Sequence, residues 1–235
     1  MITVIPFSDL GRFENDWLDA HYHFSFADYR DSERMGLGPL RVWNDDTIRP
    51  HAGFSTHPHR DMEIITYVRS GAISHTDNLG NQGVTSAGDV QVMSAGTGIE
   101  HSEMNQEEDA ATVFQIWIQT DQRGHEPRWD ARRFPDQSVT GTLPVLASGR
   151  DGHGDALMIH QDAAVLGGRM EAGAEIAHTF TAGRGGYLVS VTGEVEINGV
   201  PAGPRDGVQI IGEESIGLRA LSDTEVVLVD VVVDT

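Results

Sequence analysis

The sequence has no cysteine and no lysine. Without cysteine, disulfides, thiolate-bound zinc, iron–sulfur clusters and cysteine nucleophiles are excluded, so any metal bound here takes nitrogen and oxygen ligands. The 16 basic residues, all arginine, face 36 acidic ones, and the formal net charge is -20. Phosphate contacts need clustered Lys and Arg, so neither direct binding to nucleic acid nor attachment to an anionic membrane is expected. A salt-adapted surface and a nucleotide bias toward Arg codons would each account for this composition. Long apolar runs are also missing. The stretch Met1-Ile2-Thr3-Val4-Ile5-Pro6-Phe7 has no basic region and is too short for a secretory signal, and no segment is long enough to span a bilayer. The expectation is a soluble cytoplasmic protein.

Glycine and histidine are plentiful, at 27 and 11 residues of 235. The glycines lie in short polar clusters that punctuate the chain, which is a turn-rich β pattern. This length suits one large all-β domain or two of about 100–130 residues. Strands are expected within Trp17–Phe26, at Arg41–Asn44, Met62–Val68, Ala72–His75, near Val84, at Asp89–Met93 and at Thr112–Ile118, with a tight turn over Asp77–Asn81. Asp121 to Pro135 holds charge, Gly and Pro without an apolar period and reads as a linker. Strands resume at Leu157–Ile159, Gly186–Val191, Val195–Ile197, Val208–Ile211 and Val226–Val233.

Two short strings stand out, His57-Pro58-His59 and His101-Ser102-Glu103. Alternate side chains of a strand share a face, so each ligand-x-ligand pair points one way. Two such strands facing one another converge three imidazoles and a carboxylate, a metal site formed by His57, His59, His101 and Glu103. Counted along the same strand face, Glu63 falls beside the two histidines. His21, His23, His51 and His75 read as surface or hydrogen-bonded residues. Phe114, Ile116, Trp117 and Ile118 read mostly as core.

The two halves echo one another. Gly88-Asp89-Val90-Gln91-Val92-Met93 matches Asp206-Gly207-Val208-Gln209-Ile210-Ile211, and Ser70-Gly71-Ala72-Ile73 matches Thr192-Gly193-Glu194-Val195. His178-Thr179-Phe180 falls where His57-Pro58-His59 would, and nothing after Ile211 matches His101-Ser102-Glu103. The reading is a duplicated β-barrel with one metal per chain and His178 as a structural or surface residue.

Gly53-x3-His57-x-His59-x3-Glu63-x7-Gly71 resembles the first cupin motif and Gly98-x2-His101-x3-Asn105 the second. The first is shorter before its histidines and one residue longer before its last Gly than the common pattern. The second lacks the usual Pro, with Gly96 near that place. A more specific resemblance, to pirin and its bacterial relatives, rests on His23-Phe24-Ser25-Phe26-Ala27-Asp28-Tyr29, His57-Pro58-His59-Arg60-Asp61-Met62-Glu63 and Met93 through Glu103, and extends through Gln115-Ile116-Trp117-Ile118.

The resemblance implies an all-β bicupin of two tandem cupin-type (jelly-roll) barrels, a metal-binding one over 1–132 and one without ligands over 133–235. It implies that His57, His59, His101 and Glu103 bind a single metal, with Glu63 outside the ligand set. Iron(II) is the first expectation, and copper, manganese, cobalt, nickel and zinc suit the same donors. Some relatives act as quercetin 2,3-dioxygenases. The implied activity is opening of a flavonol heterocycle by O2 with release of carbon monoxide, Glu103 taking the proton of the flavonol 3-hydroxyl. The partners are then a small aromatic substrate and O2, and a monomer is expected. The alternative is a non-enzymatic regulator whose metal state governs its binding to another protein.

Overall fold

The protein is described here by a computed structural model covering residues 1–134 and 137–233. Pro135, at the end of the expected linker, and Asp234 and Thr235, at the end of the expected second domain, lie outside the described residues.

Among the described residues the fold is all-β apart from one turn of 3-10 helix at Phe7–Asp9. Its strands form two seven-stranded and two four-stranded sheets. The first large sheet runs, in spatial order, Arg128–Arg132, Val90–Ser94, Met62–Ser70, Ala111–Gln119, Leu40–Ile48, Leu18–Tyr22, Gly11–Glu14. The second runs Ile2–Ile5, Gly207–Ile211, Arg184–Thr192, Thr224–Val232, Ala163–Met170, Val145–Ser148, Leu157–Met158. The small sheets are ordered Ala52–His59, Ile99–Asn105, Ala72–Asp77, Gln82–Ser86 and Glu175–Thr179, Ser215–Ala220, Val195–Ile197, Val200–Ala202. From Leu40 to Gln119 and from Ala163 to Val232 the strands follow the same chain order into the same places, so the internal echo is a duplication of the barrel, with the outer places of each large sheet filled by segments that do not correspond.

Each large sheet is buried on both faces, one against the other large sheet and one against its own small sheet. Trp43, Ile65, Phe114, Ile116 and Ile118 of the first meet Val165, Tyr187, Val189, Val227, Val229 and Val231 of the second in one cluster between the barrels. The opposite face of the second sheet, with Leu188, Ile210, Val226 and Leu228, closes on Ile176, Ile197, Ile216 and Leu218 of its small sheet. Such double burial reads in sequence as an unbroken apolar run, as in Val226 to Val229.

The interior of the first barrel is different. Apolar groups collect at two ends, around Ile64, Met93 and Ile99 and around Leu18, Ile48, Val68 and Ile73. The buried polar residues Asn44, Asp46, Thr66, Gln91, His101, Glu103 and Gln115 share this barrel. A polar group out of water must find partners or a ligand.

Two sequence expectations are corrected. The expected linker contains the strand Arg128–Arg132, which pairs with Val90–Ser94 as an edge of the first sheet. It was hidden because an edge strand exposed to water needs no apolar face. Residues Ile2–Ile5, counted with the first barrel, pair antiparallel with Gly207–Ile211 and hold in the second sheet the place that Arg128–Arg132 holds in the first.

Candidate metal centre

Ala52–His59 and Ile99–Asn105 are antiparallel neighbours with His57 opposite His101 and His59 opposite Ile99. A bulge between His101 and Glu103 then sets Glu103 opposite Phe54. Gly53 makes this irregular pairing possible, since a Cβ there would lie 2.3 Å from the Glu103 carbonyl oxygen. His57, His59 and His101 each offer a ring nitrogen, and these atoms lie within 4.8 Å of one another. Among the described residues no other such group of histidines and carboxylates occurs.

The local structure prepares the imidazoles as donors. His57 Nδ1 donates to the Ser55 carbonyl at 2.7 Å, which leaves Nε2 as its bare lone pair. Burial, reinforced by His57, lowers His59 to about 4. Burial, with His57 and His59 next in effect, lowers His101 to about 2. His101 Nε2 is buried and has no hydrogen-bond partner. An orphaned imidazole nitrogen costs free energy unless something binds it, and three neutral imidazole donors suit a transition metal.

Glu103 lines the same cavity, of about 50 Å³, but engages protein donors. Its Oε1 accepts from Thr66 Oγ1 at 2.9 Å and Gln91 Nε2 at 2.6 Å, and its Oε2 accepts from Gln115 Nε2 at 2.5 Å. Burial raises its proton affinity, and the bonds from Thr66 and Gln115 oppose this. Asp46 also lines the cavity, and burial, with the charges of Asp45 and Glu103, pushes it well above the usual carboxylate range. Asn44 Oδ1, Asp46 Oδ1 and Gln115 Oε1 are buried acceptors without partners. Phe26, Phe54 and Trp117 make an aromatic wall, with Trp117 edge-on to His59 at 5.0 Å.

Glu63 stands apart from this site. The chain turns through Asp61, at φ 49°, so the count of alternate residues does not carry from His59 into Met62–Ser70. Ile64 lines the cavity, whereas Glu63 is bonded to Ser94 Oγ at 2.7 Å and to His160 Nδ1 at 3.1 Å.

The other histidines are hydrogen-bonded or near the surface. His23 bonds Tyr187 between the barrels at 3.0 Å, His75 bonds Asp77 at 3.0 Å and His51 lies near Glu108 at 3.4 Å. His21 packs on Phe7, and His178 bonds Asp230 at 2.9 Å. In the second barrel Ile216 stands opposite His178, and the interior there is apolar. Trp117 reaches the cavity, while Phe114, Ile116 and Ile118 join the core between the barrels.

Asn44, Asp46, Thr66, Gln91 and Gln115 were not picked out from the sequence. Their signal is a polar residue flanked by apolar neighbours inside a strand, as in Val90-Gln91-Val92 and Phe114-Gln115-Ile116, repeated in several strands.

The Pirin family profile matches residues 6–118, and a profile described as a quercetinase C-terminal cupin domain matches residues 145–231. A pirin-like protein of Caulobacter vibrioides is 52% identical over 230 residues, covering 98% of this chain and 99% of the relative. This chain belongs to the pirin family. Another pirin relative, named quercetin 2,3-dioxygenase, from Escherichia coli strain K12, is 42% identical over 232 residues, 98% of each chain. The crystal structure of the bacterial pirin YhhW from Escherichia coli, in complex with nickel(II), superposes with a TM-score of 0.93 at 39% identity over 100% of both chains. The two-barrel fold is thus the bicupin fold of pirins. The triad of this pirin is a group able to hold one transition-metal ion.

Proposed function

We propose that this chain is a metal-dependent dioxygenase that opens the heterocycle of flavonols such as quercetin with O2 and releases carbon monoxide. The carrying observation is the buried, partnerless His101 Nε2 beside two further imidazoles, in a cavity that also holds a carboxylate of raised proton affinity. The naming of a full-length relative as quercetin 2,3-dioxygenase supports the same reading.

In this proposal His57, His59 and His101 hold one divalent metal, Fe(II) by preference, and Glu103 is both its fourth donor and the base. The bound ion supplies Lewis acidity and an open position for a chelating oxygen. Glu103 takes the proton of the flavonol 3-hydroxyl, and its burial makes it a stronger base than a solvated carboxylate. The unpartnered acceptors Asn44 Oδ1 and Gln115 Oε1 receive hydroxyl donors of the substrate. A cavity of about 50 Å³ admits only the chelating edge of a flavonol, so the rest of the ring system lies outward, past His59. His59 also lines a groove of about 420 Å³ with Arg60, Asn78 and Glu100, which gives it room. Of the two proposed domains, 1–132 and 133–235, the first carries the chemistry and the second, to whose sheet Ile2–Ile5 adds an edge strand, covers the first one's large sheet.

The test is anaerobic loading with iron, copper or nickel, then admission of air while flavonol absorbance and carbon monoxide are followed. Loss of the flavonol band with matching carbon monoxide is expected from at least one loaded form. Quercetin left intact by all three would overturn the proposal.

A further inference from the structure

We infer that His75 and Asp77 form a hydrogen-bonded relay that orients His101 and strengthens it as a metal donor, an inference that rests on reading the imidazole triad as a metal centre. Neither residue touches the triad's cavity, so both are positioning residues. They lie two apart on Ala72–Asp77, which pairs with Ile99–Asn105 on the side away from Ala52–His59, with Asp77 opposite His101 and His75 opposite Glu103. The side chains of both are fully buried. His101 Nδ1 is 3.4 Å from His75 Nδ1, a long contact, and His75 Nε2 is 3.0 Å from Asp77 Oδ2.

The protons along this chain follow from its far end. Asp77 is an acceptor throughout: Oδ1 takes the backbone N–H groups of Leu79 and Asn81, each at 3.0 Å, and Oδ2 takes Asn81 Nδ2 at 2.9 Å as well as His75. With its ring neutral, His75 carries its hydrogen on Nε2 and presents a bare Nδ1. The hydrogen between the rings must then belong to His101 Nδ1, which leaves His101 Nε2 as a lone pair. Of the four ring nitrogens of His75 and His101, it is the one that is buried with no partner in the protein. A single tautomer assignment thus satisfies every contact and aims the free lone pair where a metal is needed.

The supports of the relay are specific. The tight turn after Asp77 is closed by the Asp77 carboxylate itself, so the acceptor cannot rotate away. The His75 ring stacks on Trp129 at 4.8 Å and 8°, and Trp129 belongs to the edge strand Arg128–Arg132. Gly83, the partner of His75 across the hairpin, makes room for that indole, since a Cβ there would lie 2.3 Å from the Trp129 ring. His57, by contrast, leans on a neutral carbonyl. A carboxylate behind an imidazole fixes its tautomer and raises its basicity as a ligand, and removing such a partner weakens metal binding roughly 10–100-fold.

Two variants test this. His75→Phe keeps an aromatic ring against Trp129 and removes both nitrogens; Asp77→Asn keeps an oxygen for the turn and removes the charge. Nickel(II) affinity is read by competition with a chromophoric chelator, the iron potential by redox titration, and apo-protein folding by thermal melting. Both variants should bind Ni(II) roughly 10–100-fold more weakly than wild type. Their iron potential should rise by about 59 mV for each tenfold loss of preference for Fe(III) over Fe(II). A wild type that binds, with both variants equal to it in affinity, overturns the relay alone, as does weakened affinity with an unmoved potential, which would indicate a merely structural role. A wild type that takes up no Ni(II) and no iron overturns the metal centre itself.

Discussion

Replacing Glu103 separates its structural part from its chemical one. Glu103→Ala strips the acceptor from Thr66 Oγ1, Gln91 Nε2 and Gln115 Nε2. Gln91 keeps a long contact to Thr66 at 3.4 Å and accepts from Thr85 at 2.8 Å, so the loss falls mainly on Gln115 and Thr66. At about 1–3 kcal/mol for each buried donor left without a partner, less what is regained by no longer burying a carboxylate, the net cost is about 3 kcal/mol. For a chain of this size that lowers the apo melting temperature by roughly 6–12 °C. Glu103→Gln should cost little. Its oxygen can still accept from Thr66 and Gln91, and a flip of the Gln115 amide brings Oε1, now unpartnered, toward the new NH2 group. Flavonol turnover should nevertheless fall roughly 10²–10⁴-fold in Glu103→Gln, because an amide cannot take the 3-hydroxyl proton. Thermal melting of the apo proteins and turnover of the metal-loaded ones are the assays. Wild-type turnover in Glu103→Gln would refute the base, and an unchanged melt in Glu103→Ala would refute the hydrogen-bonded layer.

Other outcomes follow from the same structure. Folding holds His59 down at about 4 and His101 at about 2, so these two rings bind fewer protons in the folded apo protein than in the unfolded chain and weigh against stability as pH drops below about 6.5, while the raised carboxyls of Asp46, Glu103 and Glu63 act in the opposite sense. Between pH 7 and pH 4 the apo melting temperature of wild type should therefore fall relative to that of a His59→Ala, His101→Ala double variant; the same pH dependence in the two would contradict the burial of these imidazoles. Gly53→Ala sets a Cβ 2.3 Å from the backbone oxygen of Glu103 and should cost about 1–3 kcal/mol and loosen metal binding, measured by melting and by metal content. Deleting residues 1–5 removes the strand paired with Gly207–Ile211 and bares that edge, so the second barrel should become protease-sensitive at 207–211 while the metal stays bound.

The convergence of His57, His59 and His101 was legible because it uses the shortest rule of β-structure, alternation, within single strands. The same rule misled for Glu63, since a left-handed residue at Asp61 resets the count before Met62. The second barrel was legible as a copy without ligands, since Ile216 and Leu218 are aliphatic in the sequence as they are in the core. Less visible was whatever depends on pairing between distant segments. Ile2–Ile5 gives no local sign that its partner lies at 207–211, and Arg128–Arg132 is too charged to read as a strand until Trp129 is seen against His75. The polar layer of Asn44, Thr66, Gln91 and Gln115 is visible only when the inward faces of several strands are superposed.

The central claim is that one transition metal, held by the three imidazoles, performs the chemistry. The most direct measurement is metal content per chain for wild type and His101→Ala after anaerobic loading with iron, with flavonol consumption and carbon monoxide followed in air on the same samples. The account predicts close to one metal per wild-type chain with matched flavonol loss and carbon monoxide release, and neither in His101→Ala. Equal turnover by the two proteins, or a fully loaded wild type that leaves the flavonol untouched, would contradict it.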